Sequence, residues 1–353
     1  MGESGEFGSF ENKCNYSVIT NFQRFIMKKY LLVIIALVLF GGCSKTTEPV
    51  APTLKWSKIG SFPVTALVSS GNTVYVGCND YNNPDKAGLY ISDYLGDTWV
   101  GHTIPNSSNG IISLSLYGKK LYAGTTSKFM NQTVGTLNGV FETSDDGLTW
   151  TARKTALYKS SDIQCIVNNG NDIFIGTDDK GVYYSYNSGE NWIPMNYGLP
   201  TEKVNSLSIA GDKIWAGTDK GIILSNNYAK TWEFQVDEDY SIYTVASSGN
   251  LVCAGGTKNG TVFYSTDSGT SWKEIKIPDA NGGIYTIVID NNKIYVGADG
   301  GFFISSDNCK TWQMQNTGFD YGTRIQNISI SNNHIYAGSF IYGLYRADLS
   351  DLK

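Results

Sequence analysis

Ser265-Thr266-Asp267-Ser268-Gly269-Thr270-Ser271-Trp272 and its counterpart Thr143-Ser144-Asp145-Asp146-Gly147-Leu148-Thr149-Trp150 are the stretches that decide the fold of this chain. A hydroxyl residue, an acid two places on, a glycine two places later and a closing tryptophan describe a tight turn between two short strands. The carboxylate accepts from turn N–H groups, the glycine supplies a positive φ, and the indole buries against a neighbouring sheet. Four more segments fall in register. Ser305 to Trp312 has Cys309 for the glycine, and Ser185 to Trp192 has Asn187 for the acid. Ser225 to Trp232 has Asn227 and Ala229, and Ser92 to Trp99 keeps Gly96 but carries its acid at Asp93. The turn needs these acids and amides for itself, so they are assigned to structure and not to catalysis.

Working outward, each turn is preceded by a strand that opens on glycine, such as Gly181-Val182-Tyr183-Tyr184 or Gly301-Phe302-Phe303-Ile304. Before that comes a short hydrophobic strand ending in Gly, in seven copies: residues 74–77, 121–124, 173–176, 214–217, 252–255, 294–297 and 335–338. Each copy follows a Gly/Asn/Asp turn and a further alternating run such as Val204 to Ile209, which makes a hairpin. The unit therefore has four strands and recurs about every forty residues, a period that belongs to propellers or solenoids. The last repeat stops after Gly343-Leu344-Tyr345-Arg346 with three strands, while Leu54 to Ile59 matches the strand that closes the fifth repeat. Trp56 then heads a series with Trp99, Trp150, Trp192, Trp232, Trp272 and Trp312. The expected fold is all-β: a seven-bladed β-propeller of four-stranded blades, the last blade closed by the N-terminal strand, which leaves no open sheet edge.

The eight-residue segments resemble the Asp-box, S-x-D-x-G-x-T-W, of BNR-repeat proteins, and the resemblance covers roughly residues 53 to 353. That family includes sialidases, other glycoside hydrolases, a photosystem II assembly factor and sorting receptors. The resemblance implies the propeller and leaves the function open.

Upstream of the repeats, Met27-Lys28-Lys29, the apolar run Leu31 to Phe40 and Gly41-Gly42-Cys43 have the order of a secretory signal. Leu39-Phe40-Gly41-Gly42-Cys43 resembles the lipobox of bacterial lipoproteins, with Phe40 where that family prefers Leu. The expected organisation is a non-native or mis-called leader over 1–26, a lipoprotein signal over 27–42, lipid attachment at Cys43, a polar tether over 43–52, and the propeller over 53–353. Ser44-Lys45 after the cysteine favours the outer membrane.

Composition narrows the functions. The whole chain carries 27 Lys and Arg against 32 Asp and Glu, and from residue 43 onward 23 remain against 29, a poor match for a nucleic-acid binder. With two histidines and six scattered cysteines, no metal site of the zinc type can be assembled, and no cofactor is expected. Cys78, Cys165, Cys253 and Cys309 fall in different repeats and are read as single buried thiols. A monomer is expected.

Aligning the innermost strands places Thr65, Ile112, Gln164, Asn205, Tyr243, Tyr285 and Gln326 at equivalent positions near the central channel, just after Asp162, Lys203, Ser241 and Arg324. The candidate ligand site is Asp162, Gln164, Lys203, Asn205, Tyr243, Tyr285, Arg324 and Gln326, with long loops at Cys78 to Ala87 and Thr125 to Asn138 forming a rim. A sialidase-like reading needs three convergent arginines and an Arg-Ile-Pro motif; after the signal only Arg153, Arg324 and Arg346 remain, none followed by Ile-Pro. The leading expectation is a non-catalytic, membrane-anchored protein that binds a protein partner or a glycan. The alternative is a glycoside hydrolase using two carboxylates among Asp162, Asp237, Glu238, Asp239, Asp279 and Asp320.

Overall fold

Each repeat folds as one antiparallel four-stranded sheet, and seven such sheets are arranged as the blades of a ring. The computed structural model describes residues 52–80, 87–105, 110–126, 138–153, 161–237 and 240–352; the leader, signal, Cys43, most of the tether and the greater part of both long loops lie outside the described residues. Blade five is representative, with strands Ile242–Ser248, Leu251–Gly256, Thr261–Ser265 and Lys273–Lys276. The only helical element among the described residues is a short 3-10 turn, Leu349–Leu352.

Burial follows strand position. The second strand of every blade is buried from its second residue onward, because it lies inside its own sheet and is covered by a blade on either side. The seven glycines near the ends of these strands have a packing reason. A Cβ on Gly77, Gly124, Gly176, Gly217, Gly255, Gly297 or Gly338 would collide with Ile111, Ile163, Val204, Ile242, Ile284, Ile325 or Val64 respectively. Each partner is a β-branched residue that opens the next blade's first strand or, for Ile325 and Val64, lies two residues before it, and the seventh contact runs from Gly338 back to Val64. The repeated glycine thus sets the spacing between neighbouring blades.

In blade seven the outer place is taken by Ser57–Gly60, paired antiparallel with Gly343–Asp348. That strand begins later than the Leu54 to Ile59 expected, and Leu54 and Trp56 approach it as buried anchors. The indole Nε1 of Trp56 donates to the Gln315 carbonyl at 2.7 Å, three residues beyond Trp312. Trp99 donates in the same way to Ile59, three beyond Trp56, and Trp232 to Met195, three beyond Trp192.

The turns that decided the reading carry the expected bonds. Ser265 Oγ accepts from Gly269 N–H at 2.8 Å, and Asp267 accepts from Ser271 N–H at 2.9 Å and Ser271 Oγ–H at 2.6 Å. Two successive residues have positive φ, and the second need not be glycine: Ala229 and Cys309 adopt 64° and 66°. Asn187 and Asn227 accept the same backbone bond, each at 2.9 Å. In blade one Asp93 accepts instead from Thr73 Oγ1 at 3.1 Å.

The Ser271 and Thr311 hydroxyls, followed by the backbone N–H groups, hold the Asp267 and Asp307 carboxyls down at about 2. A carboxyl depressed in the folded state contributes stability above its unfolded value of about 4, and that contribution is lost as pH falls toward 2. Urea midpoints measured from pH 5 to pH 2 are therefore expected to fall more steeply for the native chain than for Asp267→Asn/Asp307→Asn. Asparagine keeps the backbone bond, as Asn187 and Asn227 do, and does not titrate. Parallel profiles would show that these turns contribute no pH dependence.

Candidate functional site

The face opposite the acidic turns carries the mouth of the channel, and strand irregularity decides what points into it. In blades two to six the pairing of first and second strands slips by one residue, at Ile112, Gln164, Asn205, Tyr243 and Tyr285. Each is a β-bulge residue directly following the β-branched side chain that seats on the previous blade's glycine. One residue is fixed between blades and the next is left out of the ladder, which is how a bulge re-aims a side chain.

A cavity of about 510 Å³ opens at this mouth, within the range of small-ligand sites. Of the eight expected site residues, Asp162, Gln164, Tyr285 and Gln326 line it, together with Thr65, Ile112 and Thr126. Lys203, Asn205, Tyr243 and Arg324 do not line it. The Asn205 amide donates to the Ile242 carbonyl at 2.8 Å, so it joins blade four to blade five. Tyr243 and Arg324 extend the site sideways: the Tyr243 and Tyr285 rings stack with centroids 5.7 Å apart and planes 11° apart, and the Arg324 guanidinium lies 5.1 Å from the Tyr285 centroid. Blades five, six and seven thereby contribute one aromatic and cationic ledge beside the cavity.

The ledge is held by a residue that alignment of first strands does not reach. Asp299, directly after the second strand of blade six, accepts from Gly283 N–H at 2.8 Å and Tyr285 Oη–H at 3.1 Å, and forms an ion pair with Arg324. Burial and the Asp299 charge push the Tyr285 phenol up to about 12, which keeps it a hydrogen-bond donor at neutral pH. Two equivalent positions after other second strands also bond to the start of their own blade's first strand. Asp178 accepts from Asp162 N–H at 2.8 Å, and Phe340 donates its N–H to Gln326 Oε1 at 2.9 Å. Reading one residue past each seven-fold glycine strand and its following residue would have found this ring in the sequence: Asn79, Thr126, Asp178, Asp219, Thr257, Asp299 and Phe340.

The described carboxylates considered for hydrolysis, Asp162, Asp279 and Asp320, do not gather at the cavity. Asp162 lines it, 2% exposed. Asp320 is engaged with Tyr345 Oη–H at 2.6 Å and Lys58 at 3.2 Å beside a separate hollow that Asp279 does not line. Glu238 and Asp239 lie outside the described residues, as does the Asp237 side chain. Cys78, Cys253 and Cys309 are buried and Cys165 partly so, and no two of these sulfurs are joined in this structure.

Residues 126–252 match the family model of the photosynthesis system II assembly factor YCF48. A xyloglucanase from a Paenibacillus species is 28% identical over 206 residues, spanning 52% of this chain and 20% of that protein, so the chain corresponds to about a fifth of its length. Among solved structures, YCF48 bound to D1 peptide superposes with a TM-score of 0.63 at 13% identity, covering 84% of this chain and 97% of that one. The GH74 xyloglucanase from Xanthomonas campestris gives 0.67 at 14% identity, covering 84% of this chain and 54% of that one. At such identities the structural likenesses speak to fold. Taken with the repeated turn and the seven four-stranded sheets, they lead to one assignment: the chain is a seven-bladed β-propeller of the BNR-like type.

Proposed function

We propose that this protein is a non-catalytic binding protein whose channel mouth takes a protein partner or a glycan, and that a lipid on Cys43 holds it to the outer membrane. The observation that carries the reading is the cavity flanked by the Tyr243–Tyr285–Arg324 ledge. Stacked rings offer flat apolar area to a sugar face or a peptide side chain, while Gln164, Gln326 and the Tyr285 hydroxyl supply the few directional polar groups that fix orientation. YCF48 bound to D1 peptide supports a protein partner, and the xyloglucanase likeness supports a glycan.

Glycan-array and pull-down measurements with the full chain test it. Tyr243→Ala/Tyr285→Ala is expected to weaken capture by roughly tenfold or more, since each aromatic anchor contributes on the order of 1 kcal/mol beyond its area. Unchanged binding in the double variant would remove the channel mouth as the site. Anchoring makes its own prediction: Cys43→Ser should move the protein from the membrane to the soluble fraction, because acyl chains are what retain it. A variant still retained on the membrane would contradict the anchor.

A second reading, polysaccharide hydrolysis, is favoured by the xyloglucanase likeness together with the buried Asp162 at the cavity. It predicts release of reducing sugar from plant glucans that is lost in Asp162→Asn. Absence of turnover across a polymer panel would end it.

A further inference from the structure

At several blade boundaries a large side chain in the second strand packs against the turn between the third and fourth strands of the following blade. The Tyr75 hydroxyl reaches Asp146 at 3.0 Å, Phe174 meets Tyr228 edge-on at 5.0 Å, and the Trp215 ring lies over Gly269, where a Cβ would strike it. Between blades five and six both members change. Cys253 stands where the other second strands carry Tyr, Phe or Trp, and Cys309 stands where the other turns carry Gly or Ala. A large and a small residue are replaced by two of intermediate size, and both thiols are fully buried with their Sγ atoms 3.8 Å apart.

We propose that Cys253 and Cys309 form a disulfide that staples blade five to blade six. The sulfurs must approach by a further ~1.8 Å to reach a covalent separation of about 2.05 Å. Both sit on backbone held by its own bonds: Cys253 in the ladder with Ala246 and Tyr264, and Cys309 through its N–H to Ser305 Oγ at 3.0 Å. The step removes two protons and two electrons from the thiols. A small-molecule disulfide such as oxidised glutathione takes them and leaves as two glutathione thiols. In the closed propeller the neighbouring thiol and burial push the Cys253 thiol well up, so it stays protonated and a poor attacker. Exchange therefore belongs to folding, before the two blades close over the pair. Cys78 and Cys165 have no cysteine partner among the described residues and stay reduced. The inference is independent of what the channel mouth binds.

The test is oxidative refolding of the full chain in oxidised and reduced glutathione, followed by alkylation and non-reducing peptide mapping by mass spectrometry. The expected product is the Cys253 peptide joined to the Cys309 peptide, lighter by two hydrogens than the separate pair. Recovery of both as alkylated thiols, or of either paired with another cysteine, overturns the proposal. A second measurement uses Cys309→Ala, which places at this position the residue that Ala229 already supplies in blade four. Adding reductant should lower the melting midpoint of the native chain by about 5 °C and leave the variant unmoved. An equal response in both would also overturn the bridge.

Discussion

Trp215→Ala is expected to lower the stability of the propeller by about 3–5 kcal/mol, the range for truncating a large aromatic in a core that cannot collapse around the gap. Trp215 is 1% exposed and lies in the second strand of blade four, covered on both sides. Its ring fills the space above Gly269 and meets Trp272 edge-on with centroids 5.7 Å apart. The blade-five backbone at that turn is fixed by Ser265 and Asp267, so it cannot move inward to refill the volume. Urea denaturation should show the midpoint falling at constant slope, and Trp215→Phe should restore more than half of the loss. A loss under 1 kcal/mol would mean that the boundary between blades four and five repacks freely.

Trp56→Ala should cost a similar ~3–5 kcal/mol for a different reason. The indole stacks on Phe319 at 4.7 Å, meets Phe302 edge-on at 4.9 Å and donates to Gln315. Gln315, itself buried, returns a bond by accepting from Leu54 N–H at 2.7 Å. These contacts hold the N-terminal strand against Gly343–Asp348, whose edge would otherwise be unpaired. Trp56→Ala should therefore also raise concentration-dependent aggregation, since an exposed strand edge is a template for pairing. Trp56→Phe keeps the stack and loses one hydrogen bond, so it should recover most of the stability. Aggregation unchanged in Trp56→Ala would place the closing force elsewhere, in the strand pairing alone.

The seven blades were legible because one turn chemistry recurs with its tryptophan, and because the glycine strands repeat at matching distances from it. The physical reason for the glycines was not legible: Gly255 has no unusual φ to demand it, and only the packing of Ile284 against it shows why a side chain is excluded. The candidate site was legible in part. Alignment found Gln164 and Tyr285 because their first strands share a length of seven residues, and Gln326 because it keeps the same offset from its second strand although its own first strand is shorter. It set Asn205 in the same class although that side chain turns to a backbone carbonyl, since a bulge displaces a residue from the ladder without fixing its rotamer. Asp299 was missed because its role depends on two segments, Gly283 to Tyr285 and Arg324, that meet only in the folded ring.

The channel mouth as a ligand site is the central claim, and its ledge gives it a direction. Tyr243 keeps 36% of its surface exposed beside the stacked Tyr285, so a ring or side chain laid on it would run along the ledge into the cavity. The most direct measurement is an electron-density map of the protein with the strongest glycan or peptide from the binding screen. The account predicts density at the channel mouth, against Tyr243 and Tyr285 and within hydrogen-bond distance of Gln164 or Gln326. Density on the opposite face, among the turns at Asp145, Asp267 and Asp307, would contradict it.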